Sequence, residues 1–124
     1  MKVLIVDDSK DIRRMIKQFI KKQVDEFVEC EDGAAALECY RQNEPDIVLM
    51  DIKMKTVDGL QATREIKTAY PEARIVIVSQ WETQALRKKA SQAGALAYIN
   101  KTNLLPLRAL LESEVEGFSV NTED

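Results

Sequence analysis

Histidine is absent from this sequence. Its absence excludes a Ser-His triad, His-ligated zinc and a histidine general base, and the chain cannot itself carry a phosphohistidine. No apolar run approaches the roughly 18 residues needed to span a membrane. The start Met1-Lys2-Val3 leads straight into a strand pattern, so no secretory leader is expected. Cysteine is scarce: Cys30 and Cys39 fit neither a metal nor a redox spacing. Both are expected to be reduced and structural, in a cytoplasmic protein. A basic excess is missing too. The net charge of -3 argues against a nucleic-acid footprint on this domain. Repeats, low-complexity tracts and internal linkers are also lacking.

What the chain does have is a set of apolar runs that end at residues suited to phosphate chemistry. Val3-Leu4-Ile5-Val6 ends at Asp7-Asp8, Ile47-Val48-Leu49-Met50 at Asp51, and Ile75-Val76-Ile77-Val78 at Ser79. A fourth run, Ala97-Tyr98-Ile99, stops before Asn100-Lys101. These runs alternate with helical patterns, the signature of a parallel α/β sheet. Strands are predicted over 2-6, 26-30, 46-50, 74-79 and 95-99, the second less buried and at an edge. Helices are predicted after Ser9 and after Asp32, over about 60-69 and 82-92, and from about 104 to 116. Gly94 fits a left-handed helix cap, and Gly117 is expected to end the last helix. The fold class is therefore α/β: a flavodoxin-like, doubly wound, five-stranded parallel sheet of order 2-1-3-4-5 with five helices. One domain is expected over 1-117, with a polar tail over 118-124.

In that topology the carboxyl ends of the strands open onto one crevice, where such sheets place their sites. Asp7, Asp8 and Asp51 would meet there with Ser79 and Lys101. Three carboxylates at one point repel unless a cation lies between them, so the pattern asks for a divalent metal. Each residue alone admits a plainer reading. Asp51 could simply end a strand, Asp7 and Asp8 could serve a helix dipole, Ser79 could cap a helix, Tyr98 could be a half-buried edge aromatic, and Lys101 could be a solvated loop lysine. Arg13, Arg14 and Lys17, and likewise Arg87-Lys88-Lys89, are read as solvated helix faces.

The set as a whole, in this order, resembles the receiver domain of bacterial two-component response regulators. Met50-Asp51-Ile52-Lys53-Met54 and Asp58-Gly59-Leu60 look like that family's phosphoacceptor loop. The resemblance covers essentially the whole chain. It implies that Asp51 accepts a phosphoryl group from a sensor histidine kinase, with Mg²⁺ as cofactor. It implies that Asp8 and Asp51 ligate the metal directly, Asp7 through water, and Lys53 through its backbone carbonyl. Lys101 would pair with the phosphoryl group, and Ser79 and Tyr98 would form a switch pair. The implied partners are the kinase, docked on the first helix, and an output domain or protein on the face of helix 4, strand 5 and helix 5. A phosphorylation-dependent homodimer is a further expectation. No membrane and no direct nucleic-acid contact are expected for this domain, nor any enzyme activity beyond its own phosphorylation and dephosphorylation.

Gly59-Leu60-Gln61-Ala62-Thr63-Arg64-Glu65-Ile66, and the missing proline after Lys101, look more like receivers that precede a LuxR-type DNA-binding domain, which points to transcription regulation. Two departures from the family pattern stand out. Lys55-Thr56 replaces the usual Pro-Gly after Met54, and Thr102 follows Lys101 where the family has a proline with a cis bond. Lys53 and Trp81 flank the site at positions expected to tune dephosphorylation. Two other readings remain at this point: a Mg²⁺-dependent aspartyl-phosphate phosphatase, and a degenerate receiver that only binds protein. The phosphatase pattern wants a second acid two residues past the nucleophile, and Lys53 stands there.

Overall fold

The three central strands of the sheet are runs of residues buried on both faces, which is why a parallel sheet sandwiched by helices results. The computed structural model describes residues 1–123, with side chains described through Glu114. Five strands, β1 (Lys2–Val6), β2 (Glu26–Cys30), β3 (Ile47–Met50), β4 (Ile75–Ser79) and β5 (Ala97–Asn100), pair in parallel in the order β2-β1-β3-β4-β5. β2 is the less buried strand, with Glu26 and Glu29 exposed and Phe27 and Val28 half-buried, and lies at the edge, as its sequence predicts. The helices are α1 (Lys10–Ile20), α2 (Ala36–Asn43), α3 (Gly59–Ala69), α4 (Gln84–Ala93) and α5 (Leu105–Glu123). Among the described residues no helix is long and apolar enough to cross a membrane.

Two apolar cores lie on opposite faces of the sheet. On one, Ile16 and Ile20 of α1 and Leu107 and Leu111 of α5 pack on Val3, Ile5, Leu49 and Val76. On the other, Tyr40 of α2, Ile66 of α3 and Ala90 of α4 pack on Leu4, Val48, Met50 and Ile77. Alternate residues of the same strands serve the two cores, so a strand displaced by one residue would exchange them.

Short polar side chains start the helices. The Ser9 hydroxyl accepts from the Ile12 amide at 3.2 Å, Asp58 from Gln61 at 2.8 Å and Thr83 from Leu86 at 3.1 Å. Asp32 caps a single 3-10 turn (Gly33–Ala35) that leads into α2. Gly94 ends α4 at φ +103°, the left-handed conformation that L side chains avoid. Gly94→Ala is expected to lower stability by about 1–2 kcal/mol, read as a lower urea midpoint at unchanged slope.

Two expectations and one of the plainer readings need correction. The last helix runs through Gly117 to Glu123, because one glycine weakens a helix by only about 1 kcal/mol and does not stop it. Ser79 does not cap α4; Thr83 does, four residues on. β5 begins at Ala97 rather than 95, because Gly94 and Ala95 complete the helix cap through amides bonded to Ser91 and Ala90.

Candidate functional site

The register of the sheet brings the acids together. Val6 pairs with Cys30 on one side and Met50 on the other, so the next residues, Asp7 and Asp51, leave neighbouring strands at the same level. The Asp7 amide donates to the Cys30 carbonyl at 3.0 Å and the Asp51 amide to the Val6 carbonyl at 2.9 Å. These ladder bonds run one residue past the strands and fix both backbones. Asp7 and Asp51 are buried and Asp8 is exposed, and one carboxylate oxygen from each lies within 4.8 Å of the others.

Lys101 enters from beyond β5. Its amide donates to the Ser79 carbonyl at 2.9 Å, which ties the loop to β4. Its ammonium lies 2.9 Å from Asp7 Oδ2 and 3.1 Å from Asp51 Oδ1. Peptide bonds among the described residues are all trans, Lys101–Thr102 included. The lysine reaches both carboxylates without the family's proline. The following turn is closed by Asn100, whose side-chain oxygen accepts from the Thr102 amide at 2.9 Å.

The charges are mutually strained. Burial and then the neighbouring Asp7 push the Asp51 pKa above the ordinary carboxylate range, against the pull of Lys101. Burial alone would lower the Lys101 pKa, but its hydrogen bond to Asp7 and the charges of Asp51 and Asp7 raise it. The ammonium is therefore held charged. Three hard oxygen donors, with no histidine or thiolate among them, fit Mg²⁺ better than a softer metal.

Within Asp51 the two oxygens differ. Oδ1 accepts both the Lys101 ammonium and the Ile52 amide, the latter at 2.9 Å, while Oδ2 has no donor among the described residues. The chain thus fixes one oxygen and leaves the other open.

The remaining predicted residues lie around this centre. Ser79 ends β4, is buried, and its hydroxyl accepts from the Trp81 amide at 3.1 Å. The Tyr98 hydroxyl, from β5, donates to the Trp81 carbonyl. The backbone of Trp81 therefore links Ser79 to Tyr98, a connection the sequence did not disclose. The Lys53 side chain is exposed, and its ammonium lies 4.5 Å from the centre of the Trp81 ring. In the loop after β3, the Thr56 hydroxyl donates to Asp32 at 2.5 Å, so one of the two residues replacing the family's Pro-Gly is tied down by its side chain.

Two readings of the basic residues part company. Arg14, Arg87, Lys88 and Lys89 are exposed, as expected. Arg13 is not a solvated residue: it is only 11% exposed, pairs with Glu29 and donates to the Asp7 carbonyl at 2.6 Å. The local sequence hides this, because the partner carboxylate is sixteen residues away on another element. Cys30 and Cys39 are both free thiols, and burial pushes the Cys30 pKa up to about 11.

Comparison with known proteins agrees with the geometry. Residues 3–112 match the family described as the response regulator receiver domain. The chemotaxis protein CheY of Bacillus subtilis is 44% identical over 101 residues, covering 81% of this chain and 84% of that protein. A two-component response regulator of the LuxR family from Aurantimonas is similar in structure, with TM-score 0.80 and 30% identity, over 90% of this chain and 85% of that one. A chain of the CheX–CheY–BeF3–Mg²⁺ complex from Borrelia burgdorferi gives TM-score 0.78 and 28% identity, over 95% of this chain and 88% of that one.

Proposed function

The chain belongs to the response regulator receiver domain family, and from that premise we propose that it is a phosphorylation-dependent switch whose acceptor is Asp51. The observation that carries this reading is the asymmetry of the Asp51 carboxylate: Oδ1 is held by Lys101 and Ile52, and Oδ2 is open. In the proposed reaction Oδ2 attacks the phosphorus of a phosphohistidine on a sensor histidine kinase. The P–N bond breaks, and an acyl phosphate forms on Asp51. The chain has no histidine, so the donor is another protein or a small molecule.

Asp8 and Asp51 would hold Mg²⁺ directly, Asp7 through water, and Lys53 through its carbonyl. Bound there, the ion neutralises charge on the transferring phosphoryl group. Lys101, already aimed at Asp51, supplies the second positive charge. The Ser79 hydroxyl accepts from the Trp81 amide and would donate its own proton to a phosphoryl oxygen. A shift of Ser79 toward that oxygen would pull on the Trp81 backbone and, through its carbonyl, on Tyr98. Phosphorylation changes the output only to the extent that it favours one arrangement of this chain over the other.

The output surface we assign is α4, β5 and α5. Of these elements α4 carries Arg87, Lys88 and Lys89 and no acidic residue, whereas α5 carries Glu112, Glu114 and Glu116. Leu96 and Leu105 are 51% and 61% exposed there. A partner surface that is acidic toward α4 and apolar toward Leu96 and Leu105 suits that face. Two kinds of output have specific support. The likeness to LuxR-type receivers, in Gly59–Ile66 and in the LuxR-family structure, favours a DNA-binding domain and transcription regulation. The likeness to chemotaxis CheY along most of its length favours a separate target protein. The kinase would dock on α1, in the cytoplasm, and a phosphorylation-dependent homodimer is a third use of the output face.

Trp81 is proposed to shield the acyl phosphate. Trp81 is 48% exposed, and its ring carries the Lys53 ammonium over one face. Trp81→Ala is expected to shorten the phosphorylated lifetime several-fold, followed as loss of label after the donor is removed. An unchanged decay rate would rule out the shield. Incubating the chain with a small phosphodonor and Mg²⁺ tests the whole reading. Stable label supports a switch, continuous turnover of the donor would make it a phosphatase, and no label would leave a degenerate receiver.

A further inference from the structure

Asp8 is the exposed member of the acidic cluster, and among the described residues its carboxylate has no hydrogen bond or ion pair. No side chain therefore steers it, and its backbone sets where it can reach. The Asp8 amide belongs to the same planar peptide unit as the Asp7 carbonyl. That carbonyl accepts from Arg13 Nη1 at 2.6 Å. The same guanidinium donates through Nε to Glu29 Oε1 at 2.9 Å, and Lys17 holds the other Glu29 oxygen at 3.0 Å. Glu29 lies on β2 opposite Ile5 of β1, so its position is fixed by the sheet.

We propose that Arg13 is a positioning residue for metal binding: anchored by Glu29, it fixes the Asp7–Asp8 peptide plane and so presents the Asp8 carboxylate to the ion. The role needs a rigid planar fork with donors in two directions, which a lysine ammonium does not supply. It also gives Glu29 and Lys17, remote from the carboxylates in sequence, a route to the site through one carbonyl. The inference rests on the reading of the acids as a Mg²⁺ site.

Titrating the intact chain with Mg²⁺ alone, followed by calorimetry, tests it. Arg13→Gln is expected to raise the Mg²⁺ Kd about tenfold, the lower end of what loss of an outer-shell partner costs. Its melting temperature without the ion should stay close to that of the wild type. Arg14→Gln, one residue on and exposed, should bind as the wild type does. Glu29→Gln should weaken binding by less. Combined with Arg13→Gln it should add nothing, because Glu29 acts only through Arg13.

Unchanged Mg²⁺ affinity in Arg13→Gln, or full additivity of the two substitutions, would overturn the proposal. Should Arg13→Gln fail to fold, Glu29→Gln decides alone: weakened binding supports the proposal and unchanged binding overturns it. Wild-type protein that binds no Mg²⁺ would sink the metal reading as well, whereas normal wild-type binding with an unaffected Arg13→Gln sinks only the role of Arg13.

Discussion

Asp51→Asn is expected to take up no phosphoryl label from a small phosphodonor with Mg²⁺, a loss of about a thousandfold or more, as removal of a nucleophile costs. The same variant is expected to melt at a higher temperature than the wild type at neutral pH. The two effects have one origin. Asp51 is buried beside Asp7, and its pKa in the folded chain is raised. The folded state therefore binds more protons there than the unfolded state between the unfolded carboxylate pKa, about 3.9, and the raised value. Stability falls as pH rises through that window, and the ionised carboxylate is a net cost above it. Asparagine removes the charge and keeps an oxygen for Lys101 and Ile52. The advantage of Asp51→Asn in thermal melts should shrink as pH falls through the raised pKa and vanish below the unfolded one. A variant that loses the label but melts lower at neutral pH would mean that the acidic cluster is not strained.

Gly59→Ala is expected to damage the fold and the site together, by about 3 kcal/mol or more in urea unfolding. A Cβ on Gly59 would fall 1.7 Å from the Asp51 carbonyl oxygen, 2.7 Å from its carbon and 2.9 Å from Met50 Cγ. Neither side can retreat cheaply. The Gly59 amide donates to the Ile52 carbonyl at 2.7 Å, and Asp58 caps the helix that starts here. What must move is the backbone of Asp51 itself. Mg²⁺ affinity and labelling should fall even at temperatures where the variant remains folded. The loss should exceed that of Gly94→Ala, where the cost is a strained φ angle and a lysine side chain as the nearest neighbour. Equal stability losses in the two variants would contradict the close contact.

The sheet was legible because its signals are local. Runs such as Val3–Val6 and Ile75–Val78 are buried on both faces, and their spacing by helical patterns leaves few topologies. Ser9, Asp32 and Asp58 cap where short polar residues precede helical patterns. The gathering of Asp7, Asp8, Asp51 and Lys101 followed from strand ends alone. What stayed hidden depends on partners remote in sequence. A solvated arginine and one that grips a carbonyl have the same helix periodicity, so Arg13 could not be told from Arg14. Ser79 and Thr83 both suit an N-cap, and only the backbone path shows that Trp81 takes up the Ser79 hydroxyl. The expected end at Gly117 failed because one glycine weakens a helix by only about 1 kcal/mol.

The central claim is that Asp51 is the one acceptor of phosphate in this chain. Its most direct test is to incubate the intact protein with a small acyl phosphate, with and without Mg²⁺, and to map the modified residue by peptide mass spectrometry. The account predicts a single base-labile, hydroxylamine-sensitive modification on Asp51 that requires Mg²⁺. Modification of Asp7 or Asp8 instead, or label that forms equally well without the metal, would contradict it.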